Sequence, residues 1–124
     1  MELKQQYKAL IESLKLLASP YEKQASYLPG FTNIKDEVIS TFADAFLLLP
    51  QLIENDLLSR QAIAATIRCF NWMEMCERDN SISDTASFKQ HENWQKVRLF
   101  AAKVLNAMNE DNGKPDLSHI EWVD

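Results

Sequence analysis

Tyr27-Leu28-Pro29-Gly30-Phe31, followed by Lys35-Asp36-Glu37-Val38-Ile39-Ser40-Thr41-Phe42-Ala43-Asp44-Ala45-Phe46-Leu47-Leu48-Leu49, decides how the chain reads. A rigid Pro-Gly turn feeds a segment with helical periodicity. Val38, Phe42, Ala45, Phe46 and Leu49 recur at steps of three and four, so they fall on one face of a helix. Glu37, Ser40, Thr41 and Asp44 lie opposite, which makes the water-facing side acidic. Asn33 is placed to cap this helix, with Asp36 in its first turn near the positive end of the dipole. Pro50 interrupts the pattern. It lacks a backbone donor and its ring clashes with the preceding turn, which predicts a kink or break within a residue or two. Residues 51–56 then restart for a turn or two.

The same periodicity extends outward in both directions. A first helix is predicted over 2–18, with Leu3, Tyr7, Leu10, Leu14 and Leu17 as its apolar stripe and Lys4, Lys8, Glu12 and Lys15 on its other side. Ser19-Pro20-Tyr21-Glu22 has the pattern of a capping box and opens a short helix to about Tyr27. Ser59 is a good N-cap for a helix running to Arg78. There Ala62, Ile63, Ala65, Cys69, Phe70, Trp72, Met73 and Cys76 cover more than half the circumference, which predicts a place in the middle of a bundle. Residues 78–83 read as a loop, with Ser83 capping a brief turn over 84–88. A last helix is expected over 90–109, with Trp94, Val97, Ala101, Val104, Leu105 and Met108 inward and Lys96 and Lys103 outward. Polar residues and Gly113 end it. The tail brings Leu117, Ile120 and Trp122 back to dock. The fold class is therefore all-α: a single-domain bundle, residues 1–124, of about four main helices plus one or two short helical turns. Residues 110–124 form a polar linker and docked tail, and no sheet is expected.

Composition narrows the function. With 124 residues and 46% apolar content, the chain can bury its own core as one domain. Its net charge of −5 argues against direct nucleic-acid binding, which needs clustered Lys and Arg, and suits either a basic partner or simple solubility. No apolar run approaches the roughly 20 residues of a membrane span, and the first residues lack a charged segment followed by an apolar core. A cytoplasmic protein without membrane contact is the expectation. Cys69 and Cys76 share one helix face about 10 Å apart, too far for a mutual disulfide, and are expected as reduced core residues.

No catalytic constellation emerges. His91 and His119 are the only histidines, neither has a metal-site pattern around it, and both are expected at exposed loops or helix ends. There is no glycine-rich phosphate loop and no nucleophile elbow. Asp36 and Glu37 splay about 100° apart on a helix, a poor acid/base pair. The expectation is a non-enzyme with no catalytic residue, no metal and no cofactor. What remains is the acidic face. Glu37 and Asp44, seven apart, stack on one side, Glu54 and Asp56 extend the charge past Pro50, and Lys35 is the only base from Phe31 through Leu58. Such acids can be merely solvated. Leu47 and Leu48 at the edge of the polar face instead favour recognition of a basic protein surface. The candidate binding residues are Asp36, Glu37, Asp44, Leu48, Glu54 and Asp56.

The order of these features resembles a known family. Leu28-Pro29-x-Phe31 precedes Asp36-Glu37 at a helix start. Phe42-x-Asp44-Ala45-Phe46 follows, then a helix ending in Met73-x-Met75, then Glu92-Asn93-Trp94-Gln95-x-Val97-Arg98. From about Leu14 to Met108 the chain is similar to small all-helical immunity proteins of bacterial polymorphic toxin and contact-dependent growth inhibition systems. The resemblance implies a cytosolic inhibitor of the toxic C-terminal domain of a cognate effector, often a basic nuclease. It puts Asp36, Glu37 and Asp44 at acidic helix positions and Leu28, Pro29 and Phe31 at a structural turn, and it transfers no catalytic residue. The alternative is a non-enzymatic regulatory or adaptor bundle that binds a partner protein.

Overall fold

In a computed structural model, residues 1–120 are described, and they form seven helices without a strand. These are α1 (Leu3–Ala18), α2 (Tyr21–Tyr27), α3 (Ile34–Phe46), α4 (Leu49–Glu54), α5 (Arg60–Arg78), α6 (Thr85–Gln90) and α7 (Glu92–Ala107). The all-α reading holds. No helix among them is long and apolar enough to cross a membrane.

The centre is α1. Leu10, Leu14, Leu16 and Leu17 are buried, and the helix packs against α3, α4 and α7. α5, expected in the middle, instead packs chiefly on α7 and touches α3. Its buried stripe is Ala62, Thr66, Cys69, Met73 and Cys76. The rest of its broad apolar arc is satisfied at two seams rather than by encirclement. On one flank Phe70 stacks on Phe46 of α3, with centroids 4.0 Å apart and planes at 9°. On the other, Trp72 meets Phe100 of α7 at 5.7 Å. Lys96 and Lys103, which point outward, lie over Trp72 and Phe100.

Caps set the helix ends. The Asn33 side chain accepts from the Asp36 N–H at 3.1 Å, and Ser59 Oγ accepts from the Ala62 N–H at 3.1 Å. The Ser19 capping box does not form. Ser19 closes α1 instead: its N–H donates to Leu16 O and its hydroxyl to Lys15 O, which leaves Pro20 to open α2. Asp84, not Ser83, caps α6, because its carboxylate reaches both the N–H and the hydroxyl of Ser87. The last helix starts at Glu92, where the His91 Nδ1 accepts from the Asn93 N–H at 3.1 Å. His91 is thus a helix-end residue with a capping role.

The break before Pro50 is present. α3 ends at Phe46, Leu47 and Leu48 form a turn, and Pro50 falls in the first turn of α4, where a missing N–H costs nothing. Cys69 and Cys76 are buried and free, and burial pushes the Cys69 thiol up to about 12.

After α7, Asn109 adopts a left-handed conformation, φ 57°, and the chain turns back along α1. The Asp116 N–H donates to Glu12 Oε1 at 2.6 Å, Lys8 pairs with Asp116 at 2.6 Å, and the Tyr7 hydroxyl donates to Glu110 at 3.0 Å. Lys15 pairs with Glu12 and Asp111. Part of the side of α1 expected to face water is therefore covered: Lys4 and Lys8 remain exposed, whereas Glu12 is 6% exposed. Leu117 packs against the core and Ile120 is half-buried, while Trp122 lies outside the described residues.

Candidate functional site

The docked tail turns the acidic face of α3 into one wall of a cleft. Glu37, Ser40, Thr41, Asp44 and Leu48 contribute that wall, Ala9 and Ala45 lie deeper, and Met1, His119 and Ile120 complete the lining. Its volume is about 440 Å³. A neighbouring recess of about 420 Å³ shares Met1, Ala9 and His119 with it and reaches Lys8.

The arrangement follows from local sequence. Asn33 fixes where α3 starts, and steps of seven then put Glu37 and Asp44 on one side, two turns apart. Lys35, the one base in this stretch, lies on another side of the helix and pairs with Glu77 of α5 at 3.1 Å. Neither Glu37 nor Asp44 forms an ion pair among the described residues. Two carboxylates therefore face the same cleft without a neutralising partner. Leu48 is half-buried in its wall, while Leu47 beside it is 73% exposed.

Three of the six candidate residues come together here: Glu37, Asp44 and Leu48. The other three do not line the cleft. Asp36 is exposed in the first turn, where its N–H is taken by the Asn33 cap. Glu54 is exposed at the end of α4. Asp56 is also exposed, in the turn beyond, with φ 58°; its N–H donates to Ile53 O and the next N–H to Leu52 O. That is a helix-terminating turn, in which Asp is one of the few residues that tolerate positive φ.

His119 and Ile120 reach the site from the tail. Ile120 was expected to dock, but nothing in the spacing placed His119 opposite Glu37 and Asp44. The connection depends on the Asp116–Glu12 and Asp116–Lys8 contacts, made across more than a hundred residues. No group of three or more side chains suited to holding a metal gathers among the described residues. The cleft presents two carboxylates, two helical turns apart, to a cationic surface, with leucine at its edge and Ser40 and Thr41 hydroxyls nearby.

No family model, no curated protein and no solved structure matches this chain.

Proposed function

We propose that the chain is an immunity protein that binds and neutralises a cognate bacterial toxin domain in the cytoplasm. The observation that carries the reading is the cleft of α3, where Glu37 and Asp44 form no ion pair among the described residues. Lysines or arginines of a basic partner gain these carboxylates as ion-pair partners, and Leu47 and Leu48 supply apolar contact at the rim. The net charge of −5 steers a basic partner toward the complex. Inhibition is by occlusion, not by chemistry. A nuclease fits the partner role, since a surface built to hold phosphates is basic.

A secreted protein with a toxic C-terminal domain is expected to be encoded immediately upstream, and the test is co-expression with that domain. The wild-type chain is expected to restore growth against that toxin and not against unrelated ones. Failure to bind or rescue from the neighbouring toxin removes the immunity reading and leaves an adaptor bundle as the better account.

A further inference from the structure

Arg98 of α7 is only 6% exposed, and it reaches the far end of α1 from the acidic cleft. Its Nε donates to Ser19 O at 3.3 Å and its Nη2 to Phe88 O at 2.8 Å. Both carbonyls lie at helix C-terminal ends, where partial negative charge gathers, so they offset part of the buried charge. The remaining nitrogen, Nη1, is buried without an acceptor among the described residues. Arg98 forms no ion pair among them; Glu22 of α2 acts on it only through space.

Arg98 lines a cleft of about 310 Å³ together with Ala18, Pro20, Gln95, Leu99 and Asn112. A second cleft, of about 260 Å³, shares Ala18, Pro20 and Asn112 and adds Lys23, Tyr27 and Lys114. The pair therefore carries three cations and no Asp or Glu in its walls. That is a local reversal of sign in a chain with 18 acidic and 13 basic residues. A guanidinium enclosed by protein acts on a neighbouring cleft with less screening than a solvated charge. Lys23 and Lys114 are exposed and free to turn toward a ligand, and Lys114 Nζ lies 5.9 Å from the Tyr27 ring centroid. Two ammonium groups and the Asn112 amide suit phosphate oxygens, while Tyr27, Leu99 and Pro20 offer apolar surface.

We propose that this double cleft binds a small phosphate monoester, its phosphate held by Lys23 and Lys114 in the field of Arg98 and its organic part laid on the apolar walls. The site is separate from the acidic cleft and does not depend on the immunity reading. The test is an amide and arginine side-chain NMR titration of the full chain with inorganic phosphate and with phenyl phosphate, at ionic strength held constant with sodium chloride. Both probes are expected to shift Arg98 Nε–Hε and the Asn112 and Gly113 amides saturably, phenyl phosphate at lower concentration. Lys23→Glu/Lys114→Glu, at two exposed positions, is expected to keep the fold and weaken both titrations at least tenfold. Shifts no larger than those from chloride, or titrations unchanged in the folded double variant, overturn the proposal.

Discussion

The Trp94 ring packs edge-on against Phe88, with centroids 5.0 Å apart, while its Nε1–H donates to Ile82 O at 2.7 Å. Its inward direction was legible from helical spacing. Its acceptor was not, because that carbonyl is presented by the fold of the loop over 79–82. Trp94→Phe keeps most of the ring and leaves the buried Ile82 carbonyl unpaired, so a loss of about 1–3 kcal/mol is expected in urea denaturation. Asp116 offers a second test. The hydrogen bond from Lys8 holds its carboxyl well below the usual carboxylate range, helped by Ser118. A depressed acid contributes stability above its unfolded value of about 3.9, and that contribution is lost as pH falls below that value toward the folded one. A carbon-detected NMR titration should find Asp116 still ionised when ordinary carboxylates have protonated. Lys8→Gln should move its midpoint back up.

Among the elements, helix positions were legible wherever an apolar stripe and a single good cap coincide, as at Asn33 and Ser59. A helix end is not legible where two polar residues compete for it. At 83–84, Asp84 prevails because one carboxylate satisfies both the N–H and the hydroxyl of Ser87. Asp84→Ala and Ser59→Ala are each expected to cost about 1 kcal/mol, and Ser83→Ala much less, by thermal or urea unfolding. A larger effect at Ser83 than at Asp84 would reverse the assignment of the cap. The place of α5 at the side rather than the centre was not legible, since a wide apolar arc fits either encirclement or two flanking seams. The tail is the least readable element, because its polar contacts with α1 have no periodic signature. Truncation after Asn109 strips the partners of Tyr7, Lys8 and Glu12 and uncovers a buried carboxylate. It should lower the unfolding midpoint in urea while leaving the far-ultraviolet spectrum helical. An unchanged midpoint would mean that the tail contributes nothing to the fold.

At the scale of the whole molecule, charge is sorted rather than spread. The acids of α3 open into one cleft, and the cations around the C-terminal end of α1 line another. Two of the five acidic candidates were legible as a site, because seven-residue spacing places Glu37 and Asp44 together without any tertiary knowledge. Asp36, Glu54 and Asp56 share their sign but not their wall, and neither the α3–α4 break nor the returning tail can be oriented from spacing alone. The central claim is that the unpaired acids of α3 receive a basic partner. Its most direct measurement is the association rate of the proposed cognate toxin domain, once identified from the neighbouring gene, with the wild-type chain and with Glu37→Lys/Asp44→Lys, across a range of salt. The double variant should stay folded, because Asp44 is exposed, Glu37 is half-buried at the cleft wall, and neither forms an ion pair among the described residues. It should associate more slowly, with a deficit that is large at low salt and shrinks as screening grows. An unchanged rate and affinity in the folded double variant would contradict the claim and move the interface away from α3.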